Sequence, residues 1–581
     1  MPKLNELEKK ISLLIKNSGY NYDIKIEESN RPDLGDYQIN DAMKMAKEYH
    51  KSPVVIANDI ITSINECDEI KEATVAGAGF INIKLSDKFL IEYTNEIKDS
   101  PEKNIEKMTP KTIIVDYGGA NVAKALHVGH LRPANIGEAM KRIAKLLGNK
   151  VIGDVHFGDA GLQVGIVVAE MQERYPELIC FKEDYNGEDF DLPITNKDLS
   201  EIYPTGSSKS KTDENFYNKA KEITCKIQSG ELGYSTLWNK ISDLSKADIK
   251  KTYDYLNANF DLWEGEKDSF KYIPELLDTL NKQNLLYVSD GATVMDVKED
   301  NDTVEMPPIL IKKSDGAYLY ATTDLATILG RIKRFSPDEI WYTTDIRQEL
   351  HFTQVFRAAK ISNIANENLK LGFYGFGTMN GKDGKPFKTR DGGVLPLEEL
   401  INQIKEECSK RLNRNIVEEQ DEEKTINQLA LATIKYADLL PHRTSDYIFD
   451  IEKFCDLEGK TGSYLLYSTV RIKSLLRKAK EENYNFNNFN KIKGDSDKEV
   501  ILCLMKLANV ITKAYESKSF NELAEYIYKL TSTYNKFYAE NKIMTEKDEE
   551  LKESWLILSQ IVHDTNIMIL DVMGINCPEK M

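Results

Sequence analysis

The chain has 581 residues, with 77 Lys and Arg against 94 Asp and Glu and a formal net charge of −17. Its seven cysteines lack regular spacing, no apolar run approaches the roughly 18 residues that cross a bilayer, and the charged N-terminus has no signal-peptide core. These features exclude a disulfide scaffold and a membrane span, and we expect a cytoplasmic protein. The acidic balance also argues against a nucleic-acid partner, because polyanions prefer basic proteins.

The first 100 residues predict a compact α/β domain. Leu4, Leu7 and Ile11 recur at helical spacing, and Ala76–Leu85 is a glycine turn followed by an alternating strand. The polar stretch Asp99–Lys111 carries two prolines and is typical of a linker. We therefore place the first domain at 1–100.

Residues 111–396 alternate β-branched runs with helical segments, a pattern typical of βαβ units and a parallel sheet. The strand Thr112–Tyr117 is followed by the helix Leu131–Leu147 and by a second strand, Val151–Val155. Residues 184–233 interrupt the alternation with a polar stretch, which we interpret as an insertion. The later strands are predicted at Ile340–Thr344 and Leu371–Phe376.

Residues 397–581 carry almost no strand signal. Their apolar residues recur at heptad-like spacing, as at Leu429, Ile434 and Leu440, which predicts an all-helical domain. The predicted fold class is therefore α/β and multidomain. It combines an N-terminal α/β domain, a parallel-sheet domain with an insertion and a C-terminal helical domain.

Two of the seven histidines lie between the first strand of the predicted parallel sheet and the helix that follows it. His127 and His130 are three residues apart and share one face of a helical turn. A zinc pair is one interpretation, but H-E-x-x-H and a third ligand are missing, so we predict no metal site; ordinary loop histidines are another. The third is anion binding, because a helix N-terminus offers free N–H groups, imidazoles donate to phosphate, and Gly129 lets a ligand approach.

The longer string Val115–Arg132, VDYGGANVAKALHVGHLR, is similar to the signature of arginyl-tRNA synthetases, whose HIGH sequence marks class I aminoacyl-tRNA synthetases. Gly153–Gly165 resembles the Gly-Asp-x-Gly-x-Gln-x-Gly stretch of that family, and the resemblance extends over most of the chain. It implies a Rossmann-like catalytic domain, an N-terminal domain at the tRNA elbow and a helical anticodon-binding domain. It also implies that His127, Gly129 and His130 bind ATP, and that both histidines are catalytic because they stabilise the adenylylation transition state.

A site selective for arginine needs carboxylates and other acceptors in a fixed fork, because a guanidinium is planar and has five donors. Tyr320 and Asp324 are four residues apart and share a helical face if the helix has begun by Tyr320; the alternative is that Asp324 only caps or solvates the helix. The segment resembles the family's Tyr-x-Thr-x-Asp motif, which implies that both side chains bind the guanidinium. The resemblance assigns the amino-acid end of arginine to Asp116, Asn121 and Gln348.

A glycine- and lysine-rich segment, Gly377–Gly393, follows a predicted strand. It is interpreted either as a solvated loop or as a mobile loop whose amides and cations neutralise a triphosphate. It stands where class I synthetases carry KMSKS, but Pro386–Arg390 lacks the usual lysine pair, and in the family a lysine just before HIGH is thought to compensate. The resemblance therefore implies a catalytic, ATP-binding role for Lys124 and further ATP contacts from the basic residues of the loop, which are Lys385, Lys388 and Arg390.

A basic cluster in the helical region contains Arg471, Lys473 and Arg477, next to aromatic residues that could stack on unpaired bases. The alternative, which spacing alone favours, is an amphipathic helix with a basic outer face. The stretch Leu457–Leu465 resembles the start of the family's anticodon-binding domain. We therefore predict tRNA contacts at these three residues. We also predict a basic track from the Lys385–Arg390 loop towards Arg471–Lys480, with excess acidic residues on the back of the molecule.

The resemblance implies an arginine–tRNA ligase, which activates L-arginine with ATP and transfers it to the 3′-terminal ribose of tRNA(Arg). We expect Mg²⁺ to accompany ATP with few protein ligands, tRNA to be bound before arginine is activated, and the protein to be a monomer without a membrane partner. Two alternatives stay open: another class I synthetase or nucleotidyltransferase, and a non-catalytic paralogue that binds tRNA or arginine.

Overall fold

The computed structural model describes residues 2–29, 31, 33–314, 316–387, 394–484 and 486–581. The N-terminal part forms a four-stranded antiparallel sheet with helices packed against it. Its core is made of the apolar residues at helical spacing and of the alternating strand, as the sequence predicts. In chain order the elements are α1 (Pro2–Asn17), β1 (Glu27–Glu28), β2 (Tyr37–Ile39), α2 (Ala42–Tyr49), α3 (Pro53–Asn65), β3 (Ile70–Ala76), β4 (Phe80–Leu85) and α4 (Asp87–Ile97).

The middle of the chain alternates strands and helices. In chain order they are β5 (Thr112–Asp116), α5 (Leu131–Leu146), β6 (Lys150–Asp154), α6 (Leu162–Arg174), α7 (Asn196–Thr212), α8 (Glu214–Gln228), α9 (Leu232–Tyr255), α10 (Glu266–Ser269), α11 (Ile273–Lys282), β7 (Leu286–Ser289), β8 (Ala292–Met295), β9 (Ile309–Lys312), α12 (Tyr320–Phe335), β10 (Glu339–Tyr342), α13 (Glu349–Ile361), β11 (Lys370–Phe373) and β12 (Met379–Asn380). Helices α7 and α8 fall within the predicted insertion, 184–233.

Four of these strands form a parallel sheet in the order β11-β10-β5-β6. Ile114 of β5 lies opposite Ile340 of β10 on one side and Ile152 of β6 on the other. The central strands are apolar on both faces because helices cover both faces of a parallel sheet; β10 is buried along its whole length. The predicted α/β class with a central parallel sheet is confirmed. Strands β7, β8 and β9 form a separate antiparallel sheet.

The C-terminal part is helical: α14 (Leu397–Arg411), α15 (Glu419–Leu439), α16 (Ile451–Phe454), α17 (Gly462–Glu481), α18 (Asp495–Met505), α19 (Leu507–Ser517), α20 (Asn521–Glu540) and α21 (Glu549–Val572). The two-residue strand β13 (Tyr447–Ile448) is an exception that the sequence did not predict. It pairs in parallel with β12, which belongs to the Gly377–Gly393 segment. Backbone hydrogen bonds therefore connect the helical region to this segment. In the part of the chain that the structure describes, no helix has the length and apolar character that crossing a membrane would require.

Helix α5, which starts directly after the two histidines, packs unusually closely on the end of β5. A Cβ atom at Gly137 would lie 2.2 Å from Cβ of the buried Tyr117, so only glycine fits there. Glycine in a helix interior costs about 0.5–1 kcal/mol relative to alanine. The close approach of Tyr117 gives this otherwise unfavourable residue a packing role, and the contact fixes α5 against the sheet.

Gly137→Ala should therefore lower the free energy of unfolding by about 1–3 kcal/mol, the usual cost of overpacking a core. The change is measured by urea denaturation followed by circular dichroism. Lys145→Ala, on the exposed side of the same helix, is the control and should leave the urea midpoint unchanged. Equal midpoints for Gly137→Ala and the wild type would contradict the close packing of α5.

Candidate active site at the carboxyl edge of the parallel sheet

The carboxyl ends of the four parallel strands meet at one edge of the sheet, where ligands bind in open α/β folds. Most of the residues predicted to bind ATP and arginine lie at this edge or in the segments next to it. Backbone bridges join these segments, since Asn121 pairs with Gly158 after β6 and Asp345 pairs with Phe376 after β11. The topology thus gathers side chains that are far apart in the sequence.

The two predicted histidines delimit a short 3₁₀ turn, Val128–His130, that leads into α5: His127 is its N-cap and His130 its last residue. The Nδ1 atom of His127 accepts a hydrogen bond from the backbone N–H of Gly129 at 3.1 Å. The backbone N–H of His127 donates to Nδ1 of His130 at 3.1 Å. The two histidines therefore cap the turn reciprocally, and their ring centroids are 4.1 Å apart. We call this element the HxGH turn.

Both imidazoles of the HxGH turn are neutral near pH 7. Burial, followed by the nearby His127 and Lys124, lowers the pKa of His130 to about 3. Burial and the charge of Lys124 also lower the pKa of His127. Because Nδ1 of each neutral ring accepts a hydrogen bond, the ring proton is on Nε2. Each histidine can therefore donate an Nε2–H to an anion without carrying a charge itself.

The segment predicted to bind the triphosphate starts and ends on anchored backbone. At its start, the N–H of Thr378 donates to Oδ1 of Asp446 at 2.5 Å, and Lys382 pairs with Asp450 at 3.2 Å and with Glu452 at 2.9 Å. Lys385 is exposed beyond this point. The other two predicted cations of the loop, Lys388 and Arg390, lie outside the described residues.

At its end, the same segment returns to the HxGH turn. The N–H of Val128 donates to the carbonyl of Leu395 at 3.2 Å, and the N–H of Leu397 donates to the carbonyl of Leu126 at 2.9 Å. The chain that follows the loop is therefore hydrogen-bonded to the residues on both sides of His127. The two predicted phosphate-binding segments are neighbours in space.

A buried cation that the sequence did not identify connects the HxGH turn to the Gly377–Gly393 segment. Arg132 is 2% exposed and lies in the first turn of α5. Its Nη1 donates to the carbonyls of Gly377, at 2.6 Å, and Ser445, at 3.0 Å, and its Nε donates to Oδ1 of Asp438 at 3.0 Å. Its guanidinium also lies over the ring of Tyr447, 5.1 Å from the centroid. Only its adjacency to the HxGH turn could have marked it in the sequence.

The residues predicted to bind a guanidinium lie together at the start of α12. Tyr320 is the first residue of this helix, so the spacing of four puts Tyr320 and Asp324 on one face, as predicted. The carboxylate of Asp324 contacts Nε2 of His351 at 2.6 Å. The hydroxyl of Tyr320 lies near Gly161, where an added Cβ would be 3.5 Å away. Asp324 therefore faces a histidine on α13 and is more than a helix-capping residue.

A second carboxylate near Asp324 was not predicted. Glu266, the first residue of α10, is 9% exposed, and α10 packs on α12. Burial, followed by the charges of Asp324 and Asp159, raises its pKa to about 8. Glu266 in turn contributes to the raised pKa of Tyr320, after burial. No local pattern links Glu266 to the Tyr320 motif, so the sequence alone gave no sign of this acidic cluster.

Asp116 is held inside the protein. The Nη2 atom of Arg331 lies 2.6 Å from Oδ2 of Asp116 and 2.5 Å from Oδ2 of Asp154, and Nδ1 of His156 lies 3.8 Å from the same Asp154 oxygen. Burial raises the pKa of Asp116 although Arg331 opposes the shift. Asp116, Asp154 and His156 are close enough to share a cation, but the guanidinium already bridges the two carboxylates. We therefore read the cluster as an internal ion pair, and a contact of Asp116 with substrate stays a prediction.

The other two residues assigned to the amino-acid end of arginine are fixed by amide hydrogen bonds. Oδ1 of Asn121 accepts from Nε2 of Gln163 at 3.3 Å. Oε1 of Gln348, which is exposed, accepts from the hydroxyl of Thr344 at 2.9 Å. In both side chains the oxygen is occupied, which orients the amide N–H₂ group as a donor. Such donors suit a carboxylate.

Comparisons with known proteins agree with this geometry. Residues 94–451 match the family described as "tRNA synthetases class I (R), catalytic domain". The chain belongs to the class I arginyl-tRNA synthetase family. Residues 4–85 match the arginyl-tRNA synthetase N-terminal domain, and residues 465–581 match the DALR anticodon binding domain. These matches confirm the predicted family and the N-terminal and C-terminal domain types.

Full-length relatives of the family support the same assignment. The arginine–tRNA ligase of Alkaliphilus oremlandii is 45% identical over 557 residues, which is 95% of each chain, and that of Agathobacter rectalis is 44% identical over 595 residues, covering 100% of this chain and 99% of the relative. Among solved structures, arginyl-tRNA synthetase from Plasmodium falciparum is 26% identical and covers 99% of both chains with a TM-score of 0.78. The Thermus thermophilus enzyme, at 20% identity, shares the fold with a TM-score of 0.77 over 100% of both chains.

The residues of the DALR domain that we predicted to contact tRNA lie on α17. Arg471 donates to Oδ1 of Asn535 and lies over the ring of Tyr538, 5.2 Å from the centroid. Lys473 pairs with Glu579, whereas Arg477 is exposed. A cavity of about 500 Å³ opens beside Arg471, lined also by Leu475, Lys478, Tyr538, Lys542 and Met544. The three predicted cations are thus on one helix, but only one of them is exposed.

The neutral state of His130 has a consequence for stability. Above the ordinary pKa of 6.5, neither the folded nor the unfolded chain binds a proton at this histidine. Below 6.5 the unfolded chain binds one and the folded chain does not until about pH 3, so acid destabilises the fold through His130 by roughly 2 kcal/mol at pH 5.

His130→Asn removes this titration while keeping a polar side chain at the turn. The melting temperature of the variant, relative to the wild type, should therefore rise as the pH falls from 7 to 5, measured by differential scanning calorimetry. A melting-temperature difference that does not depend on pH would contradict a neutral buried His130. His563→Asn is a control at a histidine outside the site.

Proposed function

We propose that the chain catalyses the arginine–tRNA ligase reaction, in which ATP-dependent activation of L-arginine is followed by transfer of arginine to the 3′-terminal ribose of tRNA(Arg). The observation that carries the proposal is the acidic cluster of Asp324, Glu266 and Tyr320 at the sheet edge that also holds the HxGH turn. Two carboxylates and a phenol suit a planar cation with five donors. Its combination with neutral phosphate donors suits the activation of arginine in particular.

The reaction has two steps. The carboxylate of arginine attacks the α-phosphate of ATP in line, which forms arginyl-adenylate and releases pyrophosphate. A hydroxyl of the terminal ribose then attacks the carbonyl carbon, so that the arginyl ester forms and AMP leaves. The chain's own residues bind and orient the reactants and stabilise charge, so no covalent enzyme intermediate is needed.

In the first step, His127 and His130 donate Nε2–H bonds to phosphate oxygens as negative charge moves towards the leaving pyrophosphate. Because both rings are neutral, they add no electrostatic cost when pyrophosphate and the adenylate separate. Lys124, next to the HxGH turn, supplies the positive charge, together with Lys385, Lys388 and Arg390 of the loop. Gly129 makes room for the imidazole of His127, since a Cβ there would lie 2.8 Å from Cε1 of His127.

Arginine is held at both ends. Asp324, Glu266 and Tyr320 accept from the guanidinium, and His351 orients the Asp324 carboxylate. The amide donors of Asn121 and Gln348 bind the amino-acid carboxylate, and Asp116 accepts from the amino group through its Oδ1 atom. This arrangement fixes the carboxylate nucleophile relative to the HxGH turn.

Mg²⁺ enters as the partner of ATP. Bound to the phosphates, it would neutralise the charge of the triphosphate. Among the described residues, the acidic group best spaced to ligate an ion is Asp116 with Asp154 and His156, and Arg331 already bridges its carboxylates. The donor set therefore suits an ion that is carried by the substrate more than one resident in the protein.

We further propose the domain bounds 1–100, 111–396 and 397–581, with the N-terminal domain at the tRNA elbow and the helical domain at the anticodon. Arg471, Lys473 and Arg477 are the proposed tRNA contacts, and tRNA binds before arginine is activated. The protein acts in the cytoplasm as a monomer. The matches to an N-terminal arginyl-tRNA synthetase domain and to an anticodon-binding domain support the types assigned to the first and last domains.

Purified protein should charge tRNA(Arg) with arginine and not with lysine or citrulline, measured by incorporation of labelled amino acid in the presence of ATP and Mg²⁺. Citrulline has the shape of arginine without its charge, so its rejection isolates the contribution of the carboxylates. Charging with lysine in preference to arginine would overturn the specificity. Absence of charging with every amino acid tested would favour a non-catalytic paralogue.

Asp324→Asn keeps the size of the side chain and removes its charge. It should raise the KM for arginine at least about tenfold, the usual value of a charge-assisted hydrogen bond, while the KM for ATP is unchanged. Arginine kinetics equal to those of the wild type would remove Asp324 from the site. A control variant, Asp300→Asn, changes an exposed carboxylate outside the pocket and should have no effect.

Arginine binding should release a proton from Glu266. Its carboxyl has a pKa of about 8 and is mostly protonated at pH 7, and a bound guanidinium favours the ionised form. Calorimetric titration of arginine at pH 7 in phosphate and in Tris, whose ionisation enthalpies differ, should show the release of close to one proton. Glu266→Gln should abolish this release and Glu264→Gln should retain it. Binding without proton release in the wild type would contradict the assignment of Glu266.

A further inference from the structure

The insertion at 184–233 lies against the segment that precedes the HxGH turn. Helix α7 starts with a capping box, in which the side chains of Thr195 and Asp198 each accept a hydrogen bond from the other residue's backbone N–H. Ion pairs of Lys209 with Glu170, at 2.7 Å, and with Glu173, at 2.8 Å, connect α7 to α6. A cavity of about 40 Å³ separates the start of α7 from the loop before the HxGH turn, with Lys124, Leu126, Leu199 and Ser200 in its lining. The insertion therefore lies next to Lys124, one of the residues proposed to bind phosphate.

Tyr203, in the middle of α7, contacts Lys124 directly. The Nζ atom of Lys124 lies 4.3 Å from the centroid of the Tyr203 ring, a cation–π distance. In the described part of the chain, no carboxylate oxygen lies within 4 Å of this Nζ atom. Among the described residues, the ammonium is thus held by an aromatic face and not by an ion pair, although Asp248 lines the same cavity.

The backbone before Lys124 is also constrained. Ala123 adopts a left-handed conformation with φ +61°, and its N–H donates to the hydroxyl of Ser245 at 2.9 Å. A non-glycine residue in this conformation is uncommon and persists where the surroundings fix it. Tyr203 also contributes to the raised pKa of Tyr320, after burial and Glu266.

We propose that Tyr203 is a positioning residue that holds the Lys124 ammonium beside the HxGH turn for the phosphates of ATP. The proposal rests on the phosphate role of Lys124 proposed above. A free lysine side chain loses rotamer entropy when it is fixed. Pre-orientation by an aromatic face lowers this loss at the moment ATP binds. The insertion thereby completes the ATP site from outside the parallel-sheet fold.

The test measures ATP and arginine kinetics by ATP–pyrophosphate exchange in the presence of tRNA. Tyr203→Leu should raise the KM for ATP about fivefold and leave the KM for arginine unchanged, whereas Tyr203→Phe, which keeps the aromatic face, should resemble the wild type. In a Lys124→Met background, Tyr203→Leu should have no further effect. Tyr217→Leu is the matched control, since Tyr217 is an exposed tyrosine on α8 of the same insertion.

The outcomes separate this proposal from the one on which it rests. An unchanged KM for ATP in Lys124→Met would remove Lys124 from the phosphate site, and both proposals would fail. A raised KM for ATP in Lys124→Met, together with wild-type kinetics in Tyr203→Leu, would overturn the role of Tyr203 alone. Equal effects of Tyr203→Leu in the two backgrounds would also overturn it, because Tyr203 would then act independently of Lys124.

Ring fluorination keeps the test decisive if Tyr203→Leu does not fold. Phenylalanines with one to three fluorine atoms, incorporated at position 203, keep the shape of the ring and weaken its negative face stepwise. The KM for ATP should rise with each fluorine atom, at constant melting temperature. A KM that is independent of fluorination would show that Tyr203 only fills space, and would overturn the proposal.

Discussion

The geometry of the site depends on the buried guanidinium of Arg132. This side chain reaches from the first turn of α5 to the carbonyls of Gly377 and Ser445 and to the carboxylate of Asp438. It therefore connects the HxGH turn, the start of the Gly377–Gly393 segment and helix α15. Removing one partner of such a buried pair typically costs about 3–5 kcal/mol, because the other charge is left without compensation. Lysine could not replace Arg132 here, since its ammonium lacks the planar set of donors that reaches two carbonyls and a carboxylate at once.

The same helix connects the sheet to the helical region through further charges. Glu138 of α5 is paired with Lys141 and Arg142, and Arg142 also reaches Asp571 at the end of α21. In addition, Gly137 lets α5 approach the end of β5 more closely than any other residue would allow. A displacement of the helical region would therefore act on α5, and through it on the HxGH turn at its N-terminus. If tRNA binds to the helical region as proposed, these contacts are the physical route from it to the proposed ATP site.

The sequence was informative wherever the contacts of a residue are local. His127 and His130 cap each other within a single turn, and Tyr320 and Asp324 share one turn of α12, so spacing and the strand–helix pattern were enough to place both pairs. The remaining features depend on chain segments that meet only in the folded protein. Glu266 comes from α10, far from Asp324 in sequence, and nothing in its surroundings marks it. The same holds for β13, whose short pairing with β12 follows from tertiary contact and not from strand propensity.

The net charge of −17 first argued against a polyanionic partner, and the ion pairs explain why that argument is weak. Lys473, on the predicted RNA side, is paired with Glu579, and Lys382, just before the predicted basic track, is paired with Asp450 and Glu452. Exposed pairs of this kind contribute only about 0–1 kcal/mol. A phosphate can therefore replace a carboxylate at little cost, and each such exchange is favoured further by counterion release from RNA. In the net charge, each of these lysines is cancelled by an acidic residue. The same lysines can still bind RNA phosphates, because their ion pairs are weak. In the proposed arginine site the acidity has a role of its own, because a guanidinium is recognised by carboxylates such as Asp324 and Glu266.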